Sequence, residues 1–171
     1  PPGFIFDIGG STIFLDKEKL FYVLSFLCSK LNFDLLLAIN PTLNFQAGNL
    51  SALPVILNCQ NHLYKKVEAN ALNCIDISKK DWDFFEISWG FKDTPLLSRF
   101  SKDHTMKSSF VNWEKYCNDL VNEVQKNEAE NNALLYEIYN IKEEMNSNVE
   151  KREITLNVNP TFRYGLTLSN D

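Results

Sequence analysis

A chain of 171 residues with 44% hydrophobic and 13% aromatic side chains can bury a core of its own, which excludes a disordered tail. A net charge of −5 excludes a uniformly basic nucleic-acid binder and directs attention to where the charge sits. No apolar run approaches the 18 residues of a membrane-spanning helix, so no membrane partner and a cytoplasmic location are expected.

The chain opens Pro1-Pro2-Gly3-Phe4, without an initiator Met or a basic leader, and closes on Asn170-Asp171. This is the expectation for a piece of a longer protein that carries no signal peptide. Residues 1–60 hold three basic and four acidic side chains, and 61–107 hold eight and seven. Residues 108–150 hold three and nine, and 151–171 three and two, so nearly all the acidity lies on one segment. Phosphate contacts dominate nucleic-acid affinity, so that segment is not expected to lie along DNA. Cys28, Cys59, Cys74 and Cys117 have no C-x-x-C spacing and are expected to be reduced, buried thiols. His62 and His104 have no second ligand at helical spacing, so no metal site is expected.

In chain order, Phe4–Ile8 and Thr12–Leu15 flank Gly9-Gly10-Ser11 and read as a β-hairpin, since Gly-Gly accepts a tight turn. Asp16 is placed to cap a helix from about Lys17 to Leu31, with Leu20, Val23, Leu24, Leu27 and Leu31 at helical spacing. Asn32 is a second cap candidate, for a short helix that Pro41 stops. Residues 42–57 look irregular, with Gly48 as a turn point and Pro54 excluding a central strand. A helix is expected from His62 to about Asn73. Ser78 then caps another, with Trp82, Phe85 and Trp89 on its buried side. Residues 90–107, with Pro95, read as a linker.

The next segment carries a stripe: Phe110, Trp113, Cys117, Leu120, Val124, Asn127, Asn131, Leu134, Ile138, Ile141 and Met145 alternate in steps of three and four. No Gly or Pro interrupts them, which predicts one coiled-coil-like helix of about 54 Å with asparagines setting register. Two helices joined at a polar bend near 126–132 are the alternative. Glu153–Val158 reads as a strand ended by Asn159-Pro160.

Several patterns imitate catalytic motifs. Asp7-Ile8-Gly9-Gly10-Ser11-Thr12 is similar to the phosphate hairpin of actin- and hexokinase-type ATPases, but Gly3, Gly48, Gly90 and Gly165 are isolated and supply no second phosphate loop. Asn40-Pro41-Thr42-Leu43 lacks the second proline and the aromatic face of the Asn-Pro-Pro-aromatic loop that holds a flipped adenine. No P-loop, H-E-x-x-H or G-x-S-x-G is present. The carboxylates around Glu143-Glu144 sit on a solvated helix face. No residue is therefore assigned to catalysis, cofactor or metal binding. The aromatics Trp82, Phe84, Phe85, Trp89 and Phe91 could stack bases, but aromatics this dense are expected to form core.

Four stretches together carry a family resemblance: Gly3–Ser11, Asn40–Ile56, Ile77–Trp89 and Asn159–Gly165. In this order they resemble the C-terminal region of the adenine-specific methyltransferases of bacteriophage-exclusion (BREX) systems, at the end of the target-recognition domain and the helical spacer after it. The resemblance implies a parent that uses S-adenosylmethionine to methylate adenine N6 in double-stranded DNA, through a methyltransferase domain upstream, within a phage-defence or restriction-modification system that can include other defence subunits. It implies no cofactor and no catalytic residue in this chain.

The expected fold is α+β and predominantly helical. Residues 1–57 would form the end of a target-recognition-like body, 58–107 a helical connector with the aromatic cluster, 108–150 the acidic spacer helix and 151–171 a strand and tail. Candidate DNA contacts are Ser11, Thr12, Asn44 and Gln46 on loops, and Lys65, Lys66, Lys79 and Lys80 as phosphate partners. The expected function is a non-catalytic DNA-specificity and spacer segment. The alternative is an interaction module whose stripe docks a partner subunit or a second copy.

Overall fold

A computed structural model describes residues 12–42, 46–58, 61–98 and 105–165. The described residues are predominantly helical and contain no strand. The elements are α1 (Lys17–Leu27), α2 (Lys30–Ile39), α3 (Ala47–Ser51), α4 (His62–Asp83), α5 (Pro95–Ser98), α6 (Met106–Ile138), a 3-10 turn (Lys151–Glu153) and α7 (Pro160–Tyr164). Two compact units emerge. The first comprises Pro1–Ala71 with Asn131–Ser147, the second Leu72–Glu130 with Asn148–Asp171.

In the first unit, the expected hairpin's first strand and turn lie outside the described residues, and Thr12–Leu15 forms no strand. An isolated hairpin is marginal unless one face is covered, and Ile13, Phe14 and Leu15 remain exposed. Asp16 does precede α1, but its carboxylate pairs with Lys19 at 2.7 Å instead of capping the helix.

The single helix expected through Leu31 breaks after Leu27, and α1 and α2 are bent by 74°. Ser29 causes the break: its Oγ donates to the Phe26 carbonyl at 2.6 Å and accepts from the Asn32 amide at 3.1 Å. One hydroxyl thus closes α1 and caps α2, a role expected of Asn32. Asn32 is instead buried inside α2, where its Nδ2 donates to the Leu27 carbonyl at 2.9 Å.

α2 ends at Ile39, before Pro41. Within the stretch expected to be irregular, Ala47–Ser51 forms α3, and the Asn49 Oδ1 accepts the Gln46 amide at 2.9 Å. The core of this unit gathers Tyr22, Phe26, Leu31, Leu36, Leu53, Tyr64, Val67, Leu134, Leu135 and Tyr136. Tyr22 stacks on Tyr64 with ring centroids 4.0 Å apart. Each fully buried side chain of this size contributes about 1.5–3 kcal/mol, more than the cap at Ser29, so packing fixes the bend that the cap permits.

The two helices expected around Asn73 and Ser78 are one, α4, whose residues up to Ala71 belong to the first unit and the rest to the second. Tyr64, Val67, Ala71, Cys74, Ile77 and Asp81 form its inward stripe at steps of three and four, and no Gly or Pro interrupts it. Ile77 packs with Leu120, Val121 and Val124 of α6 and with Val149, Ile154 and Leu156.

The strand expected at 153–158 is absent. Ile154 and Leu156 are buried at a spacing of two, which imitates a strand, but side chains take the backbone bonds. The Asp81 carboxylate accepts the Asn157 and Val158 amides at 2.8 and 2.9 Å. Asn159 Nδ2 donates to the carbonyls of Lys151 and Ile154 at 2.7 and 2.8 Å.

α6 has 33 residues, about 50 Å at 1.5 Å per residue, and runs through 126–132 without a break. It stops at Ile138, short of the expected end. Asn140 adopts a left-handed conformation (φ 57°), and the Ile141 amide donates to the Tyr136 carbonyl at 2.9 Å. This is a Schellman closure with asparagine where glycine is commonest. Stripe positions Ile141 and Met145 therefore lie beyond the helix, half-buried against the first core.

Candidate functional site

The stripe faces its own chain. Cys117, Leu120, Val124, Asn127, Asn131 and Leu134 are buried, Trp113 and Ile138 half-buried, and only Phe110 is exposed. Asn131 donates to Ser25 Oγ of α1 at 2.7 Å. Its neighbour Asn132 accepts the Lys30 amide at the start of α2 at 3.1 Å. Asn131 and Asn132 thus tie α6 to α1 and α2, while the Nδ2 of the other stripe asparagine, Asn127, is buried without a hydrogen-bond partner. Burial pushes the Cys117 thiol up to about 12, which leaves it unreactive as a nucleophile. Cys28 is exposed rather than buried, Cys74 is half-buried, and Cys59 lies outside the described residues.

The candidate DNA contacts are dispersed. Ser11 and Asn44 lie outside the described residues, while Thr12 and Gln46 are exposed in the first unit. Lys65 and Lys66 are exposed on α4 in the first unit, and Lys79 and Lys80 on α4 in the second. Two of these lysines are already engaged: Lys65 with Glu68 at 3.1 Å and Lys80 with Asp76 at 2.6 Å. His62 is exposed at the start of α4, and His104 lies outside the described residues.

The aromatic segment after α4 departs most from expectation. Trp82 is 46% exposed, Ile87 72% and Trp89 101%, so this is not a core cluster. The chain turns tightly here because Ser88 Oγ donates to Asp83 Oδ1 at 2.5 Å and accepts the Gly90 amide at 3.0 Å. A side chain at position 90 would meet the Asp83 carboxylate, which would have to shift from its bond with Ser88. Phe84, Phe85 and Phe91 are half-buried.

Phe84 meets Trp113 edge-on at 4.8 Å, and Tyr116 packs on the same ring at 6.1 Å. The short helix α7 closes the arrangement. Asn159 caps it through the Thr161 amide at 3.2 Å, and Gly165 ends it at φ 65°. α7 sets the Arg163 guanidinium over the Phe85 ring at 5.5 Å and the Tyr164 ring at 5.8 Å. Between them lies a hollow of about 310 Å³ lined by Phe84, Phe85, Pro95, Trp113, Arg163 and Tyr164 among others. A second hollow of about 280 Å³ shares Phe84 and Pro95 and is lined by Lys80, Lys92, Asp83 and Asp93. Such a surface offers π-faces and fixed cations and can hold a planar or anionic group. Its members are distant in sequence, so only the bare aromatics were legible there.

An adenine-specific methyltransferase BrxX from Escherichia coli O9:H4 (strain HS) is 39% identical over 176 aligned positions that take in 100% of this chain. An adenine-specific methyltransferase PglX from Lacticaseibacillus casei (strain Zhang) is 30% identical over 160 positions and 91% of the chain. This chain is similar to part of the BREX adenine-specific methyltransferases. The chain spans only 14% of that BrxX and 13% of that PglX. No protein-family model matches it. The match to BrxX and PglX bears out the resemblance that the four sequence stretches carry.

Proposed function

We propose that this chain is a non-catalytic specificity and spacer segment of a site-specific adenine-N6 DNA methyltransferase acting in phage defence. The match of the whole sequence to a small part of an adenine-specific methyltransferase carries this reading. Its sequence supports it by having neither the Asn-Pro-Pro-aromatic loop nor a Gly-rich cofactor loop. S-adenosylmethionine and the flipped adenine then belong to another part of the parent, and double-stranded DNA is the partner of both. The alternative of an interaction module that docks a helix through the stripe is weakened, because the central stripe positions are buried in their own chain.

The test is titration of the chain with short duplexes across a salt series. The expected result is an affinity whose logarithm falls linearly with the logarithm of salt concentration, as counterions are released from contacted phosphates. A chain with no salt-dependent affinity for any duplex overturns direct DNA contact by these residues.

A further inference from the structure

We propose that the aromatic hollow of the second unit receives an unstacked DNA base, with the phosphate beside that base held by Arg163. This deepens the DNA-acting role proposed above and rests on it. Three observations carry it. The walls are rings from separate elements: Phe84 and Phe85 after α4, Trp113 on α6 and Tyr164 on α7, around about 310 Å³ of space. Tyr164 remains 67% exposed, so one ring face of the hollow is open to a ligand. Arg163 is exposed, makes no ion pair with any described residue, and is held against two ring faces, where it places a positive charge at the hollow.

A ring-lined hollow with a fixed guanidinium suits a planar heteroaromatic group that carries an anion. A nucleobase with its phosphate is that chemistry, and stacking accepts any base because each has a π-face. The adjoining hollow carries Lys80 and Lys92 beside Asp83 and Asp93, so the positive charge at the site is that of Arg163. A base paired within a duplex does not present its face, so the site selects unpaired nucleotides. An aliphatic protein segment would leave the guanidinium without an anionic partner, which argues against a purely apolar occupant.

The experiment uses the full chain carrying Trp82→Phe and Trp89→Phe, two exposed substitutions that leave Trp113 as the only tryptophan. Its fluorescence is followed while adding a ten-nucleotide single strand, an abasic deoxyribose-phosphate strand of equal length, or a perfect duplex. The single strand is expected to quench Trp113 and the abasic strand to leave it unchanged. Tyr164→Ala should weaken single-strand binding about tenfold, within the range for loss of one stacked base. Tyr164→Phe, which keeps the ring, should bind like the parent and shows that the fold is intact. Arg163→Gln should lower the salt slope by roughly one contact.

Equal binding of the abasic strand, or a silent Tyr164→Ala, overturns the base site. If the duplex still binds with a salt slope in that case, the DNA-acting role stands. Absence of binding to every strand and duplex overturns both. A Tyr164→Ala chain that binds the single strand normally but fails to associate with the rest of the methyltransferase would mark the hollow as a protein contact and overturn the base site.

Discussion

Glu128 lies on α6 in the second unit, where burial and then the nearby Glu153 carboxylate push its acid up to about 7, from an ordinary value of 4.5. A carboxyl whose value is raised on folding binds more protons folded than unfolded between those two limits. Its contribution to stability is therefore full below about 4.5 and is lost as the pH rises through 7. Glu128→Gln removes that dependence. The variant should gain up to about 3 kcal/mol over the parent at pH 8 and nothing at pH 4.5, measured by urea unfolding at both values. Parallel stability profiles for the two proteins would show that the carboxyl is not titrating in this window. At Ser29 a single hydroxyl ends one helix and starts the next. Ser29→Ala should cost about 1–2 kcal/mol, read from the same unfolding curves, whereas Asn32→Ala keeps the Ser29 cap and removes the bond to Leu27.

The helices illustrate what local sequence does and does not encode. The α6 stripe was legible because its apolar positions recur without interruption, and burial follows that stripe from Cys117 to Leu134. Its end was not legible, since Asn140 looks like any polar helix residue until its backbone turns left-handed. Ser78 imitates a cap, but a serine inside a helix without a breaker costs little, and the inward stripe continues past it. Residues 153–158 imitate a strand through alternate burial, whereas a strand also needs a partner ladder, which no local pattern reveals. Here the substitute partner is Asp81, 76 residues away from Asn157. Asp81→Ala should leave two half-buried amides without their acceptor and cost about 1–3 kcal/mol, mostly from the second unit. A loss below 1 kcal/mol in thermal unfolding would place the hold on this segment in its apolar contacts instead. The aromatic hollow lay beyond sequence reading for the same reason. Trp82 and Trp89 look like core in a linear list, yet both are exposed, and it is Phe84, Phe85 and Phe91 that are half-buried.

For the whole molecule, charge placement decides how it meets a polyanion. The acidic residues concentrate on 108–150, and the lysine pairs 65–66 and 79–80 belong to α4. If both pairs contact phosphate, Lys65→Gln with Lys66→Gln should reduce the salt slope of duplex binding by about two, and Lys79→Gln with Lys80→Gln by the same amount. Because Glu68 and Asp76 already engage one lysine of each pair, Glu68→Gln and Asp76→Asn should raise duplex affinity. Titration at two salt concentrations distinguishes these outcomes. A double variant with an unchanged slope identifies its lysines as part of a solvated helix face.

The carboxylate of Asp81 also makes two amides into reporters of the second unit. Asn157 and Val158 lie outside any helix, where backbone protons ordinarily exchange with solvent within seconds. Theirs point at a buried acceptor that is 2% exposed, so exchange has to wait for the unit to open. Deuterium uptake at these two positions should match that of the α6 interior around Val124 rather than that of the neighbouring turn at Lys151. The residues that read as a strand in the sequence thus become the most convenient clock for how often this part of the protein opens.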